Sequence, residues 1–405
     1  MTAQSFGKMI LKFRKKLGLT QQELAEKLNV SSKAVSKWET GAGYPEITLL
    51  APLSKIFGVP IDYLIKGNPK GIAIAGNILV DVVNIIDKYP HKSMLTNILS
   101  SENAVGGCVP NTIINLAKID PELFLTAFGR VGNDEHGRYV ISQMKKYGVD
   151  TSKIVISDTA ATSTDHVMTE KLTGDRTFFY LSGANSEFCG DDIVLDSLDC
   201  DIFHIGYILL LGELDKYDNE YGTRLARVLS EVQKRGVKTS IDVVSEESER
   251  FAEKIIPALK YCNYVIMNEI ECCGVTGLSP RNPDGSVNID NIKTTMQAFI
   301  DYGVKDKVII HCREAGFCMS PDGEFVVVAS LMLPDGYIKG SVGAGDAYAA
   351  ACLYGLYNGY DDTHLLEFAS AAAACNLAEA DSISGMKSKS EIEKMRTVYE
   401  RRKDI

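Results

Sequence analysis

Between residues 72 and 311 six short apolar runs recur, at 72–75, 123–128, 202–205, 238–242, 264–267 and 308–311. Patterns with helical spacing fall between or after them, at 135–147, 221–234, 289–302 and 347–357. Such alternation predicts a parallel sheet with helices on both faces, because parallel neighbours can be joined only by a crossover. Segments 164–170 and 176–181, separated by Leu172, Thr173, Gly174 and Asp175, break the rhythm. They read as a hairpin in a small separate sheet.

Residues 1–67 differ in charge. They hold ten Lys/Arg and five Asp/Glu, a net of +5, whereas the other residues hold 33 basic and 48 acidic side chains, a net of −15. A basic head on an acidic body predicts that only the head meets a polyanion. The length of 405 residues fits two or three domains. Ten cysteines without a C-x-x-C pair predict buried thiols in a reducing compartment, and neither a disulfide framework nor a zinc site. The start carries no uninterrupted apolar stretch, and no run approaches the roughly 18 apolar residues that span a bilayer. The expectation is a cytoplasmic protein.

In the head, Phe6, Ile10, Phe13 and Leu17 are spaced 4, 3 and 4, one face of a helix that Gly18 ends. Thr20-Gln-Gln-Glu23 is a capping box opening a second helix with Leu24, Ala25 and Leu28 inward. Asn29-Val30-Ser31 is a tight turn, and Ser31 or Ser32 caps a third helix that buries Ala34, Val35 and Trp38. A fourth helix opens at Tyr44-Pro45-Glu46 and a fifth at Pro60. Residues 6–66, through L-T-Q-Q-E-L-A and V-S-K-W-E-T-G, resemble the XRE-type, lambda-repressor-like helix-turn-helix domain. The resemblance implies that the third helix enters the major groove of an operator, with Ser32, Lys33, Ser36 and Lys37 facing DNA and Gln21 on phosphate. It also implies a homodimer on two half-sites. Residues 68–71 read as a linker, and 387–405 as a charged tail ending in a helix that frays.

Four local features of the body, 72–386, suggest chemistry. Gly76-Asn77-Ile-Leu-Val-Asp81 puts a carboxylate just past the first strand, where ligands sit in open α/β folds. Gly106-Gly107-Cys-Val-Pro-Asn111 opens a helix with a glycine pair and an Asn. Asn268 and Glu271 follow a buried strand, three residues apart and able to share a helical face. Gly340-Ser-Val-Gly-Ala-Gly-Asp346 has the glycine spacing of a P-loop, but a carboxylate where the lysine would be. By itself each has a structural alternative: the glycines can simply turn the chain, Glu271 can be a surface residue, and Asp346 can be a helix N-cap.

Taken together, GNILVD, GGCVPNTIINLA, GRVGNDEHG, GDRTFFYLSGAN, NEIE and SVGAGDA resemble the ribokinase (PfkB) family of sugar and nucleoside kinases. The resemblance implies a three-layer α/β/α sandwich with a small β-sheet lid, and ATP and Mg²⁺ as cofactors. Asp346 would be the base for the acceptor hydroxyl, and the amides around Gly343, Ala344 and Gly345 an anion hole for the phosphoryl group. Asp81, Gly106, Gly107 and Asn111 would hold the sugar. Asn268 and Glu271 would organise phosphate and, through water, Mg²⁺. Ser341, Arg313 and Gly316 would lie toward the nucleotide, and residues 164–181 would form the lid, which often joins two subunits.

The chain departs from the family at several places. The usual T-x-G-x-x-G is His311-Cys312-Arg313-Glu314-Ala315-Gly316. The Asp that helps ribokinase-like members bind a monovalent cation is Gly340, so dependence on potassium stays open. Cys108 replaces the Lys of ribokinase proper, and Asp242 lacks the Asn and Arg that often follow it. Cys108 disfavours ribose, the missing Asn and Arg are a departure from many sugar-acid and fructose kinases, and GDRTFFYLSGAN resembles fructokinases and ketodeoxygluconate kinases, so the substrate expected is fructose- or sugar-acid-like more than ribose. The leading reading is an ATP-dependent sugar kinase fused to a DNA-binding regulator. A sugar-sensing regulator with weak catalysis and a nucleoside kinase are the alternatives.

Overall fold

The computed structural model describes residues 2–58, 61–66, 71–244, 250–403 and 405. The chain divides into two compact units, Met1–Lys70 and Gly71–Ile405. Pro60, most of the expected linker and the residues just after Val244 lie outside the described residues.

The first unit contains α1 (Ala3–Lys16), α2 (Gln21–Leu28), α3 (Ser32–Glu39), α4 (Leu50–Phe57) and α5 (Ile61–Lys66). The Thr20–Glu23 capping box forms as expected, and Ser31, not Ser32, caps α3 through a bond to the Ala34 amide. Asn29 ends α2 in the left-handed region at φ 54°, a conformation Asn tolerates better than most residues. Phe6, Ile10, Leu24, Val35, Trp38 and Leu53 share one buried core. Arg14 on α1 clamps Glu39 on α3 with two bonds of 2.6 and 2.9 Å, and Gln21 on α2 donates to the same carboxylate at 2.7 Å. One half-buried charge cluster thus ties three helices in a fixed arrangement.

The second unit opens with β1 (Ile72–Ala75), β2 (Leu79–Ile86), β3 (Ile98–Gly106) and α6 (Cys108–Ile119). Then come β4 (Leu125–Gly132), α7 (Glu135–Lys146), β5 (Asp150–Ser157), β6 (Ser163–Glu170), β7 (Arg176–Leu181) and β8 (Ile202–Ile208). The small pair β9 (Tyr217–Asp218) and β10 (Gly222–Thr223) precedes α8 (Arg224–Lys234), β11 (Lys238–Val243), α9 (Phe251–Leu259), β12 (Tyr264–Asn268) and α10 (Glu269–Thr276). The chain continues through α11 (Ile289–Asp301), β13 (Lys307–His311), β14 (Ala315–Met319) and β15 (Phe325–Ala329). It finishes with α12 (Ala344–Asn358), α13 (Asp362–Leu377) and α14 (Lys389–Met395).

Nine strands form the main sheet in the order β15-β14-β13-β12-β11-β8-β1-β4-β5. All neighbours are parallel except β13–β14 and β14–β15. Alternate residues of β1 serve opposite faces: Ile72 and Ile74 join a core with α6, α12 and α13, whereas Ala73 and Ala75 join a core with α8, α9 and α11. Burial on both faces is what makes these strands read as continuous apolar runs. From β1 the chain moves to β4 and β5 on one side, and later strands fill the other. The order therefore reverses between β1 and β8, where α/β folds open a crevice at the carboxyl ends of strands.

The second sheet is larger than the expected hairpin. Its order is β3-β2-β6-β7, so the hairpin β6–β7 is joined by two strands that carry Asp81 and the Gly106 end of β3. Residues 387–403 do not form a separate frayed tail. Ile392 and Met395 are buried in the main core, and Leu331 pairs with Arg401.

Candidate active site

Asp346 lies in the first turn of α12, whose N-cap is Gly343 at φ 72°. A side chain at Gly343 would strike Ser382 and would also be strained in that conformation. The helix that follows is buried on nearly every side by small residues, so its N-terminus is held against the sheet. The first amides of a helix have no intrahelical partner, and with the helix dipole they favour an anion there.

Two neutral donors reach the Asp346 carboxylate, and both bind Oδ2. Asn111 Nδ2 donates at 2.9 Å and Tyr207 Oη at 3.0 Å. Asn111 is itself held by Ser382, whose hydroxyl donates to its Oδ1 at 2.8 Å. The Tyr207 amide donates to Asp242 Oδ1 at 2.6 Å, and Asp242 Oδ2 lies 3.1 Å from His204 Nε2. His204 Nδ1 meets Ser240 Oγ at 2.9 Å. Burial, reinforced by the nearby Asp242 charge, raises the Asp346 carboxyl to about 8, while the Asn111 and Tyr207 bonds pull it down. The result is a carboxylate that takes up a proton readily.

Three cavities meet the loop of residues 341–346. The central one, about 320 Å³, is lined by Asp346, Tyr207, Asp242, Asn268, Glu271 and Gly343, among others. A second, about 500 Å³, lies under the small sheet, with Asp81, Glu102, Arg176, Val342, Asp381 and Ser382 in its wall. A third, about 440 Å³, has apolar walls including Leu331, Met332, Ile338 and Leu377, with Arg313, Ser341, Ala344 and Gly345 at its polar side. Gly345 lines both the first and the third.

Most residues singled out in the sequence therefore gather around one helix N-terminus. Asp81, on β2, stands opposite Asp165 across the parallel β6; burial first, and Asp165 second, raise it to about 7. Gly107 caps α6 at φ 88°, where a side chain would meet the Asn77 carbonyl. Asn268 and Glu271 form the capping box of α10, with Asn268 Nδ2 donating to Glu271 Oε1 at 2.7 Å. That local bond fixes both side chains on the central cavity.

Gly316 is paired with His311 in the sheet, and its missing side chain makes room for the Tyr348 hydroxyl. Tyr348 in turn packs on His311 at 4.6 Å between ring centroids, and burial lowers His311 to about 4.

Tyr207 is the residue that sequence reasoning missed. In the sequence it looks like one more apolar position of a strand, yet it adopts φ 60°, an uncommon conformation for a bulky residue. In the head, Lys33 and Lys37 are exposed and Ser32 and Ser36 half-buried, along α3. Gln21 is engaged with Glu39 inside the domain.

A buried carboxylate at a helix N-terminus beside a polar cavity is an arrangement suited to a phosphotransferase that acts on a hydroxyl. The chain belongs to the pfkB family of carbohydrate kinases, whose model matches residues 70–389. It also carries a helix-turn-helix domain, matched over residues 10–64. The 5-dehydro-2-deoxygluconokinase of Geobacillus thermodenitrificans is 27% identical over 310 residues, covering 71% of this chain and 83% of that enzyme. The head is 47% identical over 62 residues to the HTH-type transcriptional activator BcrR of Enterococcus faecalis, covering 15% of this chain and 30% of the activator. Among solved structures, Arabidopsis thaliana ribokinase with ribose and ATP superposes with a TM-score of 0.67 at 19% identity, over 81% of this chain and 98% of that one. The 2-dehydro-3-deoxygluconokinase of Thermotoga maritima gives 0.63 at 20% identity, over 80% and 99%. At these identities the structures establish the fold alone. Among the described residues no helix is long and apolar enough to cross a membrane.

Proposed function

We propose that the second unit transfers the γ-phosphoryl group of ATP to a hydroxyl of a small sugar, with a sugar acid preferred to ribose. The observation that carries this reading is the position of Asp346, on the cavity between the lid side and the apolar side, with Oδ2 held by Asn111 and Tyr207. With that oxygen held, Oδ1 takes the proton of the acceptor hydroxyl. Asp81 and Asn111 orient the sugar, and the amides of residues 343–346 hold the phosphoryl group. The apolar cavity takes the base of the nucleotide. Asn268 and Glu271 offer an amide and a carboxylate on the central cavity, a donor set that suits a hydrated Mg²⁺. When bound, that ion neutralises phosphate charge. Gly340 brings no carboxylate to the monovalent-cation position, and turnover measured with and without potassium tests whether the cation is needed.

The preference for a sugar acid has two supports. Relatives named 5-dehydro-2-deoxygluconokinase recur among the matches, and Arg176 is the one Lys or Arg among the residues lining the lid cavity. A coupled assay with hexoses, pentoses, sugar acids and nucleosides tests this: a sugar acid should give the highest kcat/KM. Fastest turnover of ribose or adenosine would overturn the preference. Binding of a sugar with no turnover of any would favour the sensing regulator.

We propose further that the head binds an operator as part of a homodimer, with α3 in the major groove. Exposed Lys33 and Lys37 support this, as do Phe179 and Leu181, exposed on the face of β7 opposite the cavity-lining Phe178 and suited to a second copy. Whether sugar or nucleotide alters operator affinity is a direct measurement: a change would link the two activities, and an unchanged affinity would separate them.

A further inference from the structure

The family's match ends at residue 389, yet the segment that follows is built into the apolar cavity. The Arg402 amide donates to the Ser330 carbonyl at 2.9 Å and the Met332 amide to the Glu400 carbonyl at 2.8 Å, so 400–402 run antiparallel along 330–332. Arg401 Nη1 donates to the Ala329 carbonyl at 2.7 Å, and its Nε lies 3.7 Å from Glu367. Tyr399 meets Tyr337 edge-on at 5.9 Å. Neighbouring residues on an extended segment point to opposite sides. With Arg401 committed to Glu367, Arg402 falls on the cavity wall, together with Arg313.

A nucleoside triphosphate brings several negative charges to a unit that is itself strongly acidic, so its site needs local cations. A guanidinium suits this, because its fork matches phosphate oxygens and it stays charged. We propose that residues 399–402 are part of the nucleotide site, and that Arg402 binds the phosphate chain as a second cation beside Arg313. This rests on reading the apolar cavity as the nucleotide pocket.

The test is calorimetric binding of ADP and of adenosine to the full chain, as wild type, Arg402→Ala, Arg402→Lys and Arg313→Ala, with KM for ATP and for the sugar. For Arg402→Ala, ADP affinity should fall by about tenfold, the loss of one charge-assisted contact. KM for ATP should rise in step, with adenosine affinity and the sugar KM unchanged, and Arg402→Lys should recover part of the loss. Equal ADP affinity in Arg402→Ala and wild type would overturn the proposal, and so would equal losses for ADP and adenosine. A loss in Arg313→Ala alone would leave the pocket standing and remove Arg402 from it. A wild type that binds neither ligand would overturn the pocket reading itself.

Discussion

The cavity under the lid and the apolar cavity touch the same loop, residues 341–346, but are built from opposite materials. The lid side carries Asp81, Glu102 and Asp381 around Arg176, with Gln143 and Ser384 adding neutral polar groups. The other side sets Leu331, Met332, Ile338 and Leu377 against Arg313 and Arg402. The first suits a small, hydroxyl-rich molecule held by many hydrogen bonds. The second suits a flat apolar base with an anionic chain. Asp346, at the end of that loop, lines the central cavity, and the proposed function has it act on a group carried between the two sides.

Removing that meeting point should have the largest effect. Asp346→Asn should lower kcat by roughly 10²–10⁴, the usual worth of a positioned base, while calorimetric ADP affinity stays within twofold of wild type. A matching loss of ADP affinity would mean that the two sides are not separable.

The two walls can then be broken one at a time. Asp81→Asn should raise the sugar KM by about tenfold, and Arg313→Ala the ATP KM by a similar factor, each the cost of one buried or charged hydrogen bond. Steady-state kinetics with each substrate varied in turn would show the crossing. Effects on the wrong substrate would contradict the assignment of the cavities.

Smaller shifts should appear in the pH profile. With the Asp346 carboxyl raised to about 8, kcat/KM should climb with pH through that region, because only the ionised form accepts a proton. Asp242→Asn removes a neighbouring negative charge and should move the acid limb to lower pH. Tyr207→Phe removes a bond that favours the charged form and should move it higher. Opposite displacements in the two variants are the diagnostic result, and shifts in the same direction would point to a different titrating group.

The smallest effect is on stability. The folded pKa of Asp346 lies above its ordinary value of 3.8, so its contribution is complete below about pH 4 and is lost as pH rises through about 8. Asp346→Asn carries no such loss. Denaturant unfolding should find it more stable than wild type at pH 9, by at least about 1 kcal/mol, the worth of roughly one pKa unit, and the gap should close toward pH 4.

Much of this was legible in advance, for reasons that differ by element. The six apolar runs became β1, β4, β8, β11, β12 and β13, because strands buried on both faces cannot hide their composition. The capping box at Thr20–Glu23 was legible because its bonds span only three residues. The extent of the lid was not, since β3 is largely exposed and reads as polar loop. Residues 387–405 looked like solvated charge because Arg401 and Arg396 find their partner, Glu367, on α13, about thirty residues upstream.

The sequence by itself determined the two-unit organisation, the alternating fold, and the glycine loop that ends in Asp346. These depend on local pattern, and local pattern is written in neighbouring residues. Tertiary structure decided what holds that carboxylate and what surrounds it. Asn111 and Tyr207 meet Asp346 across separations of 235 and 139 residues, and Gly316 leaves room for the Tyr348 hydroxyl. Contacts of that range follow from how strands and helices are stacked, and spacing along the chain carries no record of them.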